Sequence, residues 1–368
     1  MTSPAYDYVV RRADIRAGSI RPTPAAEEID LAPGQVLLRI DNFSISANNV
    51  TYAAMGEAMN YWEFFPSGDE ATGRVPAWGY CEVLCSEHDG LAVGKRIYGY
   101  MPMSTHFVVE PTDVSNSGFV DGAAHRSELP AVYNRYAYTT PEEGDGESRE
   151  PYIALFGPLF LTSWLLADEI EVEKFAGATR VICSSASSKT ALSLAFMLKR
   201  DHSETISLVG LTSAGNKGFV EGTGFYDEVI GYDELGDLDP SEPTLYLDFG
   251  GSADLRTRIH THFGENLVAS TVIGAADWEK LTIPEDAEPL PGPTPGFFFA
   301  PTRVAKRNED WGAGGLRRRI AADQEAFIDS SEDWMTIRTG QGPEDMQRTF
   351  GEFLDGKVDP AEGWNIRP

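Results

Sequence analysis

The stretch that decides the fold is VICSSASSKTA, residues 181–191, which joins a short apolar segment to an amphipathic one. Residues 180–184 are typical of a buried strand, and residues 190–200 place alanines and leucines at helical spacing. A tight polar turn between a buried strand and a helix is where a doubly wound sheet holds a phosphate group. The stretch therefore predicts the first βαβ unit of a parallel sheet.

The segments that follow repeat this alternation of strand and helix. Further strands are predicted at residues 206–211, 228–232, 244–251 and 266–274, and further helices at residues 215–222 and 253–263. Strands that alternate with helices indicate βαβ units and a parallel sheet. We therefore expect an α/β fold with a Rossmann-type doubly wound domain over residues 151–290.

Residues 35–120 have a different pattern, with short β segments at residues 35–41, 79–85, 91–100 and 106–111. Closely spaced strands with glycine turns are typical of a small barrel, which we expect over residues 1–150.

Polar and proline-rich segments separate these regions. Residues 141–149 form a polar loop, and residues 284–295 are a proline-rich acidic linker. Residues 291–368 follow, with helices predicted at residues 315–328 and 343–355, and we expect them to return and pack on the first domain.

The composition narrows the partners and the compartment. A formal net charge of −27 disfavours nucleic acid and anionic membrane surfaces, because both would be repelled. The three cysteines indicate a reducing compartment without a disulfide framework. The first 15 residues lack the apolar core of a signal peptide, and no apolar run approaches the ~18 residues of a membrane span. We therefore expect a cytoplasmic protein.

The turn after the first strand departs from the usual glycine pattern. Ser185, Ser188 and Ala191 occupy the G-x-x-G-x-x-G positions, and none of them is glycine. Small residues at the second and third positions still allow close approach, whereas serine at the first makes a tight turn less easily. The helix N-terminus and the hydroxyl groups of the turn favour an anion. The alternative is a serine-rich helix cap without a ligand.

The end of the second strand indicates which dinucleotide would bind. NAD enzymes place Asp or Glu there, against the ribose 2′-hydroxyl. Here residues 210–217 read GLTSAGNK, with Ser213 and Lys217 in place of a carboxylate. A hydroxyl, an amide and a lysine suit a 2′-phosphate, so the segment favours NADP(H). The alternative is an ordinary polar turn.

Five motifs in order resemble the medium-chain dehydrogenase/reductase superfamily, in its zinc-free quinone-reductase-like branch. They are QVLLRIDNFSISANNV (35–50), GLAVGKRIYG (90–99), GPLFLTSW (157–164), FYDEVIGYD (225–233) and LDFGG (247–251). The SSASSKTA turn and the tail FFFAPTRVAKR (297–307) further resemble a bacterial family of unknown function. The resemblance implies a GroES-like β-barrel beside the Rossmann domain, and a homodimer.

The resemblance also implies which residues contact the cofactor. These are Thr162, Lys217, Tyr232, Gly250, Gly251, Ile273, Gly274 and Phe298. The phosphate turn and the end of the second strand, taken by themselves, add Ser185, Ser187, Ser188, Lys189, Thr190 and Ser213.

The chain departs from the zinc-dependent branch, because it cannot supply four structural cysteines. Cys81 and Cys85 lie four apart on one predicted strand, and we interpret both as buried small apolar residues. Without zinc, hydride comes from the nicotinamide, and the protein supplies position and a proton donor. Tyr52, which follows Asn49 in the segment implied to line the substrate pocket, is the first candidate donor. Its alternative role is packing in the barrel.

Three functional hypotheses remain open at this point. The leading one is NADPH-dependent reduction of a small enone, quinone or carbonyl compound. The second is a catalytically silent protein of the same fold with a degenerate nucleotide site. The third, weaker hypothesis is a lyase or isomerase that uses the cofactor catalytically.

Overall fold

The computed structural model describes residues 4–139, 149–274, 289–312 and 314–368. These residues form two compact units. Unit 1 comprises Met1–Gly157 and Thr336–Pro368, and unit 2 comprises Pro158–Met335. Residues 141–148 of the predicted polar loop and residues 284–288 of the linker predicted at residues 284–295 lie outside the described residues.

The strands and helices follow one another along the described chain. The strands are β1 (Tyr6–Arg11), β2 (Asp14–Pro22), β3 (Val36–Ile45), β4 (Thr72–Arg74), β5 (Pro76–Ser86), β6 (Arg96–Pro102), β7 (His106–Val109), β8 (Pro111–Thr112), β9 (Gly118–Asp121), β10 (Arg135–Tyr138), β11 (Arg180–Cys183), β12 (Ser207–Thr212), β13 (Glu228–Gly231), β14 (Thr244–Asp248), β15 (Leu267–Val272), β16 (Gly296–Phe297), β17 (Thr336–Gln341) and β18 (Glu362–Arg367). The helices are α1 (Ala47–Ala54), α2 (Glu150–Val172), α3 (Lys189–His202), α4 (Lys217–Thr223), α5 (Ala253–Phe263), α6 (Ala300–Trp311), α7 (Gly315–Ser331) and α8 (Gly342–Leu354).

Unit 1 is built on a closed circuit of strands. Strands β3, β5, β6, β10, β9 and β8 pair in that order, and β7, which precedes β8 in the chain, pairs back with β3. Because β3 packs on both faces, it is buried almost throughout, with Arg39 as its exposed residue. The GroES-like barrel expected for the N-terminal region is confirmed.

Two additions complete unit 1. Strands β17 and β18 attach to the far half of β3, where β18 pairs antiparallel with Phe43, Ser44 and Ile45. A second sheet of three strands has the order β2-β1-β4.

Unit 2 contains a sheet whose strand pairs are all parallel, in the order β13-β12-β11-β14-β15-β16. Renumbered within the unit, this is the order 3-2-1-4-5-6 of a Rossmann fold. The core beneath it joins Ile182 and Tyr246 of the central strands to Ile259 and Phe263 of α5. The α/β fold class and the Rossmann domain are therefore confirmed.

The C-terminal region divides differently from the expectation for residues 291–368. Strand β16 adds to the parallel sheet by pairing with Thr271 and Val272 of β15, and α6 and α7 belong to unit 2 as well. Within residues 291–368, only those from Thr336 onward belong to unit 1, because β17 and β18 extend the barrel sheet. The backbone pairing of β16, a strand of two residues, therefore places its segment of the chain in unit 2.

The two cysteines of β5 do not share a face, which corrects the sequence interpretation. Cys81 is fully buried, whereas Cys85 is exposed. Leu37 pairs with Cys85 and Leu38 pairs with Val83, so one extra residue on β5 forms a bulge. A bulge shifts the alternation of side chains by one position, which turns Cys85 to the solvent.

Helix α2 is the one helix of the described residues that is long and apolar enough to cross a membrane. Its length is 23 residues, and 56% of its most apolar window is buried within the protein. Burial of this extent is typical of a core helix in a folded domain.

Candidate functional site

The carboxyl-end edge of the parallel sheet gathers most of the residues that the sequence implicates in cofactor binding. Each of β11, β12, β14 and β15 is followed directly by one of the implicated segments. Parallel strands present their carboxyl ends at one edge, and ligands bind where the strand order reverses. Here that point lies between β11 and β14, which pair directly along residues 180–183 and 244–247.

The turn between β11 and α3 holds its shape without glycine. Ser185 adopts a left-handed conformation with φ of 47°, which is the conformation that glycine usually supplies. Ser188 is the N-cap of α3, and its hydroxyl accepts a hydrogen bond from Ala191 N at 3.3 Å. Ala186 is buried against β12 through its N–H bond to Leu211 O. The turn therefore has a left-handed residue where glycine is usual, and Ser185 and Ser188 stay half-buried.

The remaining polar residues of this turn lie at its solvent side. Ser187, Lys189 and Thr190 are half-buried, like Ser185 and Ser188. Hydroxyl and ammonium groups at the N-terminus of a 14-residue helix such as α3 suit an anionic ligand.

A buried polar network occupies the reversal point of the sheet. The Asp248 carboxylate, fully buried at the end of β14, accepts hydrogen bonds from Ser184 Oγ at 3.0 Å and Gly251 N at 2.8 Å. Its second oxygen pairs with the buried guanidinium of Arg256 at 3.0 Å. Ser184 Oγ in turn accepts from Phe249 N at 3.0 Å. The network ties the turn after β11 to the turn after β14.

Gly250 and Gly251 belong to this network, although the sequence placed them along a cofactor cleft. Both are buried, and their N–H groups bind Ser184 Oγ and Asp248 Oδ1. Ile273 N and Gly274 N both donate to Asp248 O, at 2.9 and 3.4 Å. A Cβ on Gly274 would lie 2.5 Å from Phe249 O, so glycine permits the two turns to meet.

A carboxylate that the sequence interpretation did not foresee, that of Glu234, pairs with Lys217 after the end of β12. Lys217 Nζ donates to Glu234 Oε2 at 2.7 Å, and the same oxygen accepts from Gly231 N at 2.7 Å. The pair raises the pKa of Lys217, while the Gly231 N–H and then Lys217 lower the pKa of Glu234. Residues 210–217 contain no carboxylate, but the fold brings Glu234, which lies 17 residues after Lys217 in the chain, into contact with this lysine. A 2′-phosphate would therefore meet a carboxylate here.

The other residues of unit 2 that the sequence implicates in cofactor binding differ in their burial and hydrogen bonds. Ser213 is exposed, and Tyr232 OH lies 3.5 Å from Ser185 Oγ. Phe298 is buried and donates its N–H to Val272 O at 2.9 Å. Thr162 bonds to Pro158 O within α2 at 2.9 Å, and its neighbour Ser163 donates to Thr190 O at 2.7 Å.

In unit 1, Tyr52 is held by two donors. Asn48 Nδ2 and Trp78 Nε1 donate to the Tyr52 hydroxyl oxygen at 2.7 and 3.1 Å. Neither contact uses the phenol's own proton. Burial raises the pKa of Tyr52, and the hydrogen bonds from Trp78 and Asn48 oppose this rise by favouring the phenolate. Both donors are half-buried, whereas Tyr52 is buried with 4% of its surface exposed.

Asn49 has a structural position. Its Oδ1 accepts from Ser46 N at 2.7 Å, which completes a capping box at the start of α1. Its Nδ2 donates to Pro76 O at 2.8 Å. Since both polar atoms bond to the backbone, Asn49 fixes α1 against β5 and thereby orients Tyr52.

The aromatic residues near Tyr52 form a packed group. The ring centroids of Tyr61 and Tyr100 lie 4.7 and 5.4 Å from that of Tyr52. Tyr133 lies between them, 4.7 Å from Tyr100, and its hydroxyl is 3.3 Å from that of Tyr61. All four of these tyrosines are buried, so the group belongs to the core of the barrel.

The edge of the sheet in unit 2 fits a dinucleotide in its chemistry. The turn after β11 supplies hydroxyl groups at the N-terminus of α3. The left-handed conformation of Ser185 keeps the backbone of the turn close to this N-terminus. Tyr232 and Lys217 add an aromatic ring and a cation on neighbouring segments. In the described residues, no group of three His, Cys, Asp or Glu side chains is arranged to hold a metal ion.

Sequence reasoning missed Asp248, Arg256 and Glu234. Asp248 lies inside the LDFGG motif, directly before Phe249 and the two glycines. An apolar strand that ends in Asp was the available signal for a buried carboxylate. Nothing local signals Arg256 or Glu234, because their partners are set by the fold.

These two units define the medium-chain dehydrogenase/reductase fold, and comparisons with solved structures agree. The chain is similar to CurA from Vibrio vulnificus in complex with NADPH, with a TM-score of 0.64, 14% identity and 99% of both chains covered. It is similar to the yhdH oxidoreductase of Salmonella enterica in complex with NADP, with a TM-score of 0.55, 11% identity and 99% of both chains covered. A mutant form of enoyl thioester reductase from Candida tropicalis gives a TM-score of 0.56 and 12% identity, with 100% of both chains covered. At these identities the similarity shows the fold.

The chain belongs to the family described as "Protein of unknown function (DUF2855)", whose family model matches residues 43–359. Proteins of curated function gave no match.

The Asp248–Arg256 pair predicts a large stability effect. Arg256→Met leaves a buried carboxylate without its cation and should lower the free energy of unfolding by about 3–5 kcal/mol. The double variant Asp248→Asn/Arg256→Met removes both charges and should recover part of this loss, since the amide still accepts from Ser184 and Gly251. Urea denaturation followed by fluorescence measures both. Equal stability of the single variant and the unaltered chain would contradict the buried pair.

Proposed function

We propose that this protein is an NADP(H)-dependent oxidoreductase that reduces a small activated alkene, quinone or carbonyl compound without zinc. The observation that carries the proposal is the edge of the parallel sheet, where Ser185 keeps the conformation of a phosphate turn at the N-terminus of α3. CurA and the yhdH oxidoreductase, which share the fold, are solved with NADPH and NADP. When bound, the nicotinamide would supply the hydride.

In this proposal the turn after β11 holds the pyrophosphate. Its hydroxyl groups replace contacts that a glycine turn makes through backbone alone, and the positive end of α3 favours the negative charge. The network of Ser184, Asp248 and Arg256 keeps this turn in register with the turn after β14. Residues 273, 274 and 298 then lie on the side of the sheet assigned to the nicotinamide.

The 2′-phosphate is assigned to Lys217 and Ser213. Lys217 is half-buried and already paired with Glu234 at 2.7 Å. A phosphate carries more negative charge than a carboxylate and forms stronger charge-assisted hydrogen bonds, so it competes for the lysine. Glu234 therefore sets the strength of the preference for NADPH over NADH.

The proton donor is assigned to Tyr52. Its hydroxyl oxygen already accepts two N–H bonds, which stabilise the phenolate left after proton transfer. Asn49 is a positioning residue in this proposal, because its amide fixes the helix that carries Tyr52.

A second candidate function is a catalytically silent protein that keeps the fold. The observation that favours it is the internal bonding of Gly250 and Gly251, whose N–H groups serve Ser184 and Asp248. Measured binding of NADPH separates the two candidates.

Nucleotide binding is the first expected outcome. Calorimetry should give micromolar NADPH binding and weaker NADH binding. Lys217→Ala should weaken NADPH binding at least about tenfold, since a charge-assisted hydrogen bond is lost, and should leave NADH binding unchanged. Glu234→Gln should strengthen NADPH binding, because it frees Lys217 while its amide oxygen still accepts from Gly231. No binding of either dinucleotide would refute the reductase proposal.

Loss of the Tyr52 hydroxyl should reduce turnover without affecting the nucleotide. Once an enone or quinone screen identifies a substrate, Tyr52→Phe should lower kcat by about 10²–10⁴-fold, the usual contribution of a general acid. NADPH affinity should stay unchanged. Tyr61→Phe, in the same aromatic group, is the matched control and should retain turnover. Equal turnover of Tyr52→Phe and the unaltered enzyme would exclude this donor.

We further infer a cytoplasmic homodimer. The three cysteines are free, which suits a reducing compartment. The edge strand β16 exposes Phe297 with 60% of its surface accessible, which suits pairing with a second copy. Light scattering on the purified protein should give twice the chain mass of 40.3 kDa. A monomeric mass at micromolar concentration would refute the dimer.

A further inference from the structure

Unit 1 contains a pocket of about 300 Å³ that the proposed reduction does not use. Its apolar walls come from Ile29, Phe65, Phe107 and Val108, and the rings of Phe65 and Phe107 meet edge to face at 5.9 Å. This volume is at the lower end of the range for small-molecule sites. Polar groups line the rest of the pocket, and their arrangement indicates what the pocket would bind.

The first polar group is centred on Asp7. This buried carboxylate accepts from Ser104 Oγ at 2.7 Å and pairs with Arg74 and Arg21, each at 3.4 Å. Arg74 also donates to Phe65 O and Pro66 O, so its guanidinium is fully engaged at the wall.

The second polar group is centred on Arg126, whose residue surface is only 2% exposed. Its Nε lies 3.2 Å from Asp121 Oδ2 and donates to Phe64 O at 3.2 Å. Its Nη1 donates to Tyr136 OH at 3.3 Å, and the guanidinium stacks 4.5 Å from the ring centroid of Phe65. Among the described residues, none accepts a hydrogen bond from Nη2.

The buried charges in these two groups balance. The guanidinium groups of Arg74 and Arg126 face the carboxylates of Asp7 and Asp121, whereas Arg21 has 36% of its side chain exposed and lies outside the pocket lining. Burial lowers the pKa of Arg74, and the repulsion of Arg21 and Arg126 adds to this against the attraction of Asp7. The pocket therefore offers a ligand a cationic donor without an acceptor, Arg126 Nη2, rather than an excess of charge.

Two histidines complete the polar lining of the pocket. Glu27 acts on His106, but its side chain is exposed and therefore screened by solvent. His106 contacts Thr105 Oγ1 through Nδ1 at 3.0 Å. Its Nε2 makes no hydrogen bond within the described chain. His125 contributes a contact to Phe64 O at 3.4 Å.

We propose that this pocket binds a small monocarboxylate with an apolar body. The carboxylate would accept a charge-assisted hydrogen bond from Arg126 Nη2 and a second hydrogen bond from His106 Nε2. The apolar body would lie against Phe65 and Phe107. An acid of about ten non-hydrogen atoms suits a pocket of this size. The site goes beyond the proposed reductase function, because no residue assigned to the dinucleotide or to proton transfer lines it.

Benzoate is the probe, because it combines a carboxylate with a flat apolar ring. Calorimetry on the full chain without NADPH should show one site with a dissociation constant on the order of 0.1–1 mM. Benzamide, the neutral isostere, should bind at least about tenfold more weakly, and so should inorganic phosphate, which lacks the apolar body. Equal binding of benzamide would overturn recognition of the anion, and equal binding of phosphate would overturn the role of the apolar walls.

Two variants locate the binding. Val108→Trp places a large side chain at the mouth and should abolish benzoate binding, whereas Val93→Trp, on an exposed turn outside the pocket lining, should leave it unchanged. His106→Ala removes one donor and should weaken binding at least about threefold, which keeps the test decisive if Val108→Trp fails to fold. Binding that survives both Val108→Trp and His106→Ala would place the anion elsewhere and overturn the proposal.

Two further variants distinguish a failure of the benzoate site from a failure of the reductase proposal. Tyr52→Phe and Lys217→Ala should bind benzoate as the unaltered chain does. Loss of benzoate binding in either variant would mean that the anion occupies the reductase site, which would also overturn a separate pocket.

Discussion

The buried carboxylate of Asp248 is the constraint around which the parallel sheet of unit 2 is organised. It lies where the strand order reverses, and it joins the turn after β11, the turn after β14 and the helix α5 through Ser184, Gly251 and Arg256. A carboxylate without access to water is stable only when its oxygens are satisfied by donors and a cation. The same bonds that satisfy Asp248 therefore hold the candidate nucleotide edge in one geometry.

The glycine-free turn is a consequence of this support. Ser185 occupies a left-handed conformation that costs a non-glycine residue about 1–2 kcal/mol. Ser188 recovers part of that cost by capping α3, and Ala186 packs against β12. In exchange the turn presents hydroxyl groups where a glycine turn presents only backbone. The replacement therefore changes the donors offered to an anion while keeping the shape of the loop.

The buried polar side chains of unit 1 have different roles within one barrel. Asn49 hydrogen-bonds to the backbone, the buried Tyr52 accepts hydrogen bonds from Asn48 and Trp78, and Arg126 is buried among aromatic rings. The candidate donor and the charged pocket use different residues.

The sequence by itself determined the fold class and the positions of most strands and helices of the parallel sheet, because hydrophobic periodicity and turn residues act over a few neighbouring positions. It also named Lys217 and Tyr52 as candidates, and their roles stay predictions. Only the tertiary structure decided what these side chains contact. Lys217 meets Glu234, Cys85 turns outward at a bulge, and Asp7 and Arg126 share a pocket although 119 positions separate them in the chain. Such pairings depend on long-range strand order and register, which no local pattern of residues encodes.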